Sequence, residues 1–532
     1  MLKLTEYLEN GNHVPQISQI AQKNYNIKNS AQICVIRGKK YKFLMQKHII
    51  IIGSGVAGLA AAVRLSAAGH KVEVLEANDY VGGKLTAQTI GAYRFDMGPS
   101  VFTLPNLVQD LTKLSRSNRK FDYLELDKIC NYFYEDGTTL IAYTDKHKFA
   151  EEVAAKLGEE KKSVYDQLTY SATAYELTAE LFMEKSLHQL SNFLNLKTAK
   201  AILNIGKLKM NQTMNELNSA RFKNPKTVQL FNRFATYNGS DPYQAPAIIN
   251  IIAHLEHNIG AFAPKGGMHD ITKHLYEISK ELGAVYHLDT KVKQVKTVND
   301  KAVGVITDKG EMPADIVVSD VDIKQLYTKL LDKKYYPEKI LQQEKSLSAL
   351  IFYWGIKKEF RELGLHNILF SANGKEEFGT MFGDKKPYHD PTTYINITSK
   401  VTPDDAPAGC ENWFVMVNVP HNTSGEPIQY VQEMRKHIIA KINRVLKTNI
   451  ESFIEVEDTL DPYLIEQRTG SSGGSLYGNS SNNKYAAFLR HANNSSKIKN
   501  LYFCGGSVHP GGGIPLGLLS AKIVSEMIAE KK

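Results

Sequence analysis

The sequence predicts an α/β fold: a parallel Rossmann-type sheet assembled from both ends of the chain, a second mixed α+β domain, and a helical insertion. Three observations carry this expectation. The β-branched run HIIII that starts at His48 leads into GSGVAGLAAAVRLSAAG, of helical composition and ending at Gly69, and then into the short strand KVEVLEA, which together make a β-α-β unit. Both strands are almost continuously apolar, as parallel strands covered on both faces are, and the link between them is long enough for a crossover helix. The chain ends on LYFCGG followed by GIPLGLLSAKIVSEMIAE, one more strand, a glycine turn and a final helix.

Taken in order, residues 1–44 precede this pattern as an extension to which no function is assigned, with Met45 just before the first strand. Residues 45–120 open the nucleotide domain. The stretch 121–250 alternates polar and apolar residues at helical spacing, as in KSLHQLSNFLNLKTAKAILNIGKL, and is expected to be helical. From 251 to 330, short strand signals separated by turns such as Asn299-Asp300 and Lys309-Gly310 return the chain to the nucleotide domain. Residues 331–480, with SALIFYWGI, NWFVMVNVP and a helix near Ile428 to Leu446, read as a substrate-binding domain, and 481–532 as the last nucleotide-domain segment.

Composition narrows the class. A chain of 532 residues exceeds what one core supports, since cores stop growing near roughly 250–300 residues. Hydrophobic residues at 42% and charged ones at 23% fit a folded globular protein. Cys34, Cys130, Cys410 and Cys504 form no CxxC or CxxH spacing, which argues against a metal site or a disulfide framework and for a reducing cytoplasm. Of the net charge of +9, the first 44 residues carry +5, from seven Lys/Arg against two Asp/Glu. Elsewhere the basic residues are scattered without interleaved aromatics, so nucleic acid is not an expected partner. The longest apolar stretch, Ile49 to Val63, falls short of the roughly 20 residues of a spanning helix, and the N-terminus lacks the apolar core of a secretory signal.

Chemistry enters with Gly53-Ser54-Gly55-Val56-Ala57-Gly58, between strand and helix, and with Glu76, which closes the second strand. In such a loop Gly53 permits the tight turn, Gly55 lets the backbone approach a pyrophosphate, and Gly58 packs helix on strand. The helix N-terminus at Val56 and Ala57 faces the negative charge. Glu76 is placed to bind ribose hydroxyls and disfavours a ribose phosphate. Two more glycine segments follow, Val81-Gly82-Gly83-Lys84 and Cys504-Gly505-Gly506-Ser507-Val508-His509-Pro510-Gly511-Gly512-Gly513-Ile514-Pro515. In the second, Pro515 falls where a helix begins, a position it favours. If that helix points at a bound ring that gains negative charge, its positive end stabilises the charge by about 0.3–2 kcal/mol. His509, before a proline in a tight loop, reads as a structural hydrogen-bonding residue rather than a base.

Glu76-Ala77 followed by Gly82-Gly83 resembles the extended FAD fingerprint of the amine oxidase and phytoene desaturase superfamily, in which Arg or Lys often comes next, as Lys84 does here. The C-terminal run strongly resembles the closing signature of bacterial carotenoid desaturases. Between them, Phe95-Asp96-Met97-Gly98-Pro99-Ser100, Tyr237-Asn238-Gly239 through Ala245-Pro246-Ala247, and Pro264-Lys265-Gly266-Gly267-Met268 resemble family segments in the expected order, so that the likeness spans nearly all of 47–530. It implies FAD as cofactor, with Gly83, Lys84, Ser100 and Val101 near the flavin and Val292 offering its backbone to the adenine side. Leu476, before Tyr477-Gly478, is implied to line the cleft, and Gly506, Gly513 and Ile514 to contact the cofactor from the C-terminal loop. Where the family often has Ser-Asn-Ala this chain has Ser319-Asp320-Val321, so Asp320 is either a cofactor contact or a helix cap.

For activity, the resemblance implies that FAD takes a hydride from an allylic C–H of a carotenoid while a proton leaves the neighbouring carbon. That chemistry needs a hydrophobic tunnel rather than charged catalytic side chains, and no base is named. The Ser-Val-His-Pro form of the closing motif is closer to 1-hydroxycarotenoid 3,4-desaturases than to phytoene desaturases, which more often have Thr-His-Pro. A terminal hydroxyl would then need a polar partner at the tunnel's end. Phe231, Phe234, Tyr237, Phe352, Tyr353 and Trp354 are candidates for the tunnel wall, each more readily explained by core packing. Because a carotenoid sits in a bilayer, peripheral contact with a membrane surface is expected. The rivals are a phytoene desaturase, a carotenoid isomerase or saturase, an amine oxidase, and a non-enzymatic lipid-binding protein resembling the Rab GDP-dissociation inhibitors. The amine oxidase needs an aromatic cage, for which two tryptophans remote from the C-terminal motif offer little. The full glycine set and Glu76 argue against the lipid-binding protein. Oligomeric state is not encoded in any of these features.

Overall fold

Five parallel strands bring the two ends of the chain into one sheet, in the order Val285–His287, Lys71–Leu75, His48–Ile52, Ile316–Ser319 and Leu501–Phe503. This is a computed structural model of the protein, and it describes residues 33–36, 39–42, 46–189, 204–482 and 490–530. The central strand shows why the run HIIII is apolar throughout. Ile49 and Ile51 pack into the core beneath the helices Val56–Ala67, His269–Glu281 and Ile514–Glu530, while Ile50 and Ile52 pack into the core on the opposite face. That second face is covered by an antiparallel three-stranded sheet, Val292–Val298, Lys301–Thr307 and Gly310–Pro313. A parallel strand buried on both sides has no polar face to alternate with.

A seven-stranded sheet forms the second layer system, in the order Ile454–Leu460, Ser348–Ile356, Glu411–Val419, Thr393–Ile397, His366–Leu369, Lys128–Phe133 and Thr139–Tyr143. Side chains alternate across it. In Glu411–Val419, Trp413, Val415 and Val417 pack with Met434, Ile438 and Ile442 of the helix Val431–Leu446. Phe414 and Met416 point the other way and line a cavity. The expected all-helical stretch 121–250 is corrected here, because Lys128–Phe133 and Thr139–Tyr143 are strands of this sheet. Their short apolar runs flank the Asp136-Gly137 turn, a hairpin signal, but the parallel partner His366–Leu369 is remote in sequence. Downstream, the helices Lys146–Leu157 and Lys161–Phe182 match the helical periodicity.

Within the N-terminal extension the described residues form one antiparallel pair, Ile33–Ile36 with Lys39–Lys42. Among the described residues no helix is long and apolar enough to cross a membrane.

Candidate active site

The carboxyl ends of the parallel strands, the loop 82–86, the segment 97–103 and the turn 505–513 surround a cavity of about 1100 Å³. That exceeds the roughly 300–1,000 Å³ of an ordinary small-molecule pocket. Each residue that the sequence singled out for the cofactor lines it, with one exception. Gly58 stands behind the wall. A Cβ on it would lie 2.3 Å from the Gly53 carbonyl oxygen, so its role is the close packing of helix against turn. Its N–H donates to Asp320 Oδ2 at 2.8 Å.

The first strand-to-helix turn is held by Gly53, at φ +93°, whose N–H donates to the Leu75 carbonyl at 2.8 Å. The helix starts at Val56 with no side-chain cap and no acidic residue in its first turn, which leaves its positive end for an external anion. Glu76 is fixed at both oxygens. Oε2 accepts from the Ser54 N–H at 2.9 Å and from Ser54 Oγ at 2.7 Å, and Oε1 accepts from the Asn78 N–H at 3.0 Å and from Asn78 Nδ2 at 2.9 Å. These four bonds fill the lone pairs of the carboxylate and hold it in one orientation, so a ribose hydroxyl there would share or replace one of them. Lys84 donates to the carbonyls of Ser475 and Leu476 at 3.1 and 3.0 Å, tying the first segment to the Leu476 loop. Burial lowers its ammonium to about 8 against the raising effect of Asp322 and Asp320.

Asp320 resolves differently from the helix-cap alternative. The cap of the short helix Ile323–Gln325 is Asp322, whose side chain accepts from Lys324 and Gln325. Asp320 instead sits among Gly55, Gly58 and Gly505, and a Cβ on Gly55 or Gly505 would lie 2.5 or 2.4 Å from its carboxylate. Burial pushes its carboxyl up to about 7, opposed by the Gly58 N–H and reinforced by Glu76.

At the other end of the chain, Gly506, Gly513 and Ile514 line the same cavity, and the helix Ile514–Glu530 begins at its wall. Arg490 braces this turn by donating to the carbonyls of Tyr477 at 2.8 Å and Gly506 at 3.3 Å. His509 contacts the carbonyl of Lys185 at 2.8 Å through Nε2, the structural role the sequence suggested. Val101, Val292 and Leu476 lie on the wall, and Ser100 Oγ is 2.7 Å from the Tyr394 hydroxyl.

Away from the glycines the cavity turns apolar, between Ile248, Ile249, Ile252 and Leu255 on one side and Ile351, Phe414 and Met416 on the other. Of the six aromatic candidates only Tyr237 reaches it. Phe231, Phe234, Phe352, Tyr353 and Trp354 are fully buried in core clusters, as core packing predicted. Sequence reasoning missed a buried polar group on this wall. Arg233 donates to Glu256 at 2.9 Å, Tyr237 donates to the other Glu256 oxygen, and the Arg233 guanidinium lies 4.4 Å from the Phe234 ring centroid. His366 and Tyr394 were missed too. Single polar residues scattered over four segments have no spacing rule to betray them.

An uncapped helix N-terminus, a fixed carboxylate at the end of the second strand, and bare backbone at Gly83 and Gly513, with open space beside Gly513, suit a dinucleotide. Fold and site together define an FAD-dependent oxidoreductase. The chain matches the flavin-containing amine oxidoreductases over residues 56–529 and belongs to that family. It is 50% identical to a 1-hydroxycarotenoid 3,4-desaturase of Flavobacterium sp. (strain P99-3), over 91% of this chain and 99% of that protein. It is 30% identical to a 4,4'-diapolycopene oxygenase of Methylomonas sp., over 91% and 98%. Among solved structures, putrescine oxidase bound to putrescine superposes with a TM-score of 0.61 at 15% identity, over 91% of this chain and 100% of that one. A fatty acid isomerase from P. acnes superposes with a TM-score of 0.53 at 14% identity, over 91% and 98%. These two likenesses concern the fold.

Proposed function

We propose that the protein is a carotenoid desaturase that introduces the 3,4 double bond of a 1-hydroxycarotenoid, with FAD held by the glycine-lined half of the cavity. The observation that carries this reading is the continuity of that half with an apolar one, which suits a long polyene laid against a flavin. The 50% identity to a 1-hydroxycarotenoid 3,4-desaturase over nearly both full lengths supports the substrate class. Gly53, Gly55, Val56 and Ala57 are assigned to the pyrophosphate, and Glu76 and Val292 to the adenosine half. Gly83, Lys84, Ser100, Val101 and Leu476 are assigned to the flavin side, with Gly506, Gly513 and Ile514 closing over it. Asp320, on the same wall, holds the loop through the Gly58 N–H. FAD bound there supplies the acceptor for a hydride.

The chain's own contribution is to align the polyene and exclude water, so that the reacting C–H is presented in one orientation. An amine substrate is disfavoured because Trp354 and Trp413 are both fully buried in the sheet-helix core. Peripheral contact with a bilayer is part of the proposal, since the substrate is supplied from one.

The test is incubation of FAD-loaded protein with a 1-hydroxycarotenoid, phytoene or lycopene in liposomes. The expected result is co-flotation with the liposomes at low salt and a red-shifted absorption spectrum with the hydroxylated substrate. An oxygenated product would favour the activity named for the Methylomonas relative, and no conversion of any carotenoid would overturn the reading.

A further inference from the structure

We infer that His366 is the specificity-determining residue for a hydroxylated polyene: its Nε2–H donates a hydrogen bond to the hydroxyl on C1 of the substrate. The inference rests on the substrate class proposed above and adds the group that reads it.

The tautomer follows from the neighbours. Asn396 Nδ2 lies 2.9 Å from the Leu365 carbonyl, which fixes it as a donor, and 3.2 Å from His366 Nδ1. Nδ1 therefore accepts. Nδ1 has a single lone pair, so the Tyr394 hydroxyl at 2.7 Å and Asn396 at 3.2 Å share it, the shorter contact taking the greater part, and the Tyr394 oxygen is left to accept from Ser100 Oγ at 2.7 Å. Ser100, Tyr394 and His366 thus form a directed chain in which every donor has an acceptor until the last. The ring proton resides on Nε2. Among the described residues Nε2 makes no hydrogen bond, although His366 is only 5% exposed and lines the cavity. Burial, followed by a smaller opposing effect of Glu256, depresses its basicity to about 4, so the ring is neutral and its donor permanent at neutral pH. A donor with no partner on a buried wall is costly unless something supplies an acceptor.

Among the described residues Arg233 Nε also lacks a partner but is shut off from the cavity, and the remaining polar groups of that cluster are occupied with one another. Tyr237 gives its only proton to Glu256 and takes one from Arg233 at 3.2 Å, and the Arg233 fork reaches Glu256 at 2.9 Å. Position also favours His366. In a 1-hydroxylated chain the oxygen-bearing carbon is two bonds from C3, so the group that binds the hydroxyl must stand beside the reacting bond and not at the far end of a tunnel. The chain that ends at His366 begins at Ser100, on the stretch of wall that runs from Met97 to Val101 beside the glycine half. The sequence-based expectation of a polar partner at the tunnel's end is revised accordingly. A site that spends a buried donor on a hydroxyl discriminates against the analogue that lacks it.

The experiment compares a 1-hydroxycarotenoid with its analogue carrying hydrogen in place of the hydroxyl, in liposomes. The proteins are the FAD-loaded wild type, His366→Phe, His366→Leu and His366→Gln. Flavin content is read from the visible spectrum, and substrate binding from perturbation of that spectrum in the absence of oxygen. The wild type is expected to prefer the hydroxylated substrate. His366→Phe and His366→Leu should lose about tenfold in affinity for that substrate alone, with the change in KM rather than kcat. His366→Gln, whose side-chain amide can donate from a similar position, should recover most of the preference. Should either apolar variant lose its flavin, the other and the His366→Gln profile decide. Retention of the wild-type preference in a flavin-loaded apolar variant overturns the assignment while the desaturase reading stands. Failure of the wild type to convert any carotenoid overturns both.

Discussion

The two halves of the cavity are walled by different parts of the chain, and they tolerate change differently. Around the helix that starts at Val56 the wall is backbone, bared by glycines at 53, 55, 83, 506 and 513, with Gly58 packed behind it. Around Ile248, Phe414 and His366 it is side chain, and its polar members are buried ion pairs and hydrogen-bond chains. In the first half an added atom is the danger. In the second the danger is a removed one.

The largest effect is expected where a charge would be stranded. Arg233 and Glu256 pair at 2.9 Å with side chains 7% and 1% exposed. Glu256→Ala should therefore cost about 3–5 kcal/mol in urea unfolding of the FAD-loaded protein. Replacing both partners by leucine should cost less than the single change, and equal losses would show that the pair's charge is already compensated from elsewhere.

On the backbone side, Gly58→Ala places a methyl 2.3 Å from the Gly53 carbonyl oxygen. The expected loss is about 1–3 kcal/mol, together with release of flavin during gel filtration. A variant that keeps its colour and stability would mean that the turn has slack the packing does not suggest.

The remaining effect is pH-dependent, absent near pH 4 and growing as the pH rises. The Asp320 carboxyl is raised to about 7 in the folded chain. The folded state then holds a proton that the unfolded chain releases above the ordinary carboxylate range, so stability falls as pH climbs from about 4 through 7. Asp320→Asn keeps an acceptor for the Gly58 N–H and removes that fall. At pH 8 the variant should be the more stable of the two, and its melting temperature should be flat across the interval where the wild type declines.

The contrast between the halves also explains what was legible. Glycine spacing is a sequence property, because only a residue without Cβ fits where backbone meets backbone; Gly53 through Gly58, Gly82-Gly83 and the 505–513 turn could therefore be found before any coordinates. Strand alternation placed Ser348–Ile356 and Glu411–Val419 in a mixed domain for the same reason. The strands at 128–143 were hidden because their apolar runs are short, the following sequence is helical, and their partner lies at 366–369. Asp320 was left between two roles because its neighbours, Gly58 and Gly505, come from segments far apart in sequence. His366, Tyr394, Arg233 and Glu256 carry no local pattern at all, and their chemistry exists only once the seven-stranded sheet sets them on one wall.

The outermost strand of the parallel sheet, Leu501–Phe503, and the turn behind it are made long after the strand His48–Ile52. The cradle proposed for FAD needs that turn opposite a loop made near the start. Capture of the coenzyme must then wait until that turn has left the ribosome, so a yellow polypeptide is one that extends past it. Chains stalled or clipped before the last helix would stay colourless and lack the stabilisation that a tightly held ligand confers, about 2.7 kcal/mol at a hundredfold excess over its dissociation constant. A cell short of riboflavin would accumulate the same unstable species from full-length chains.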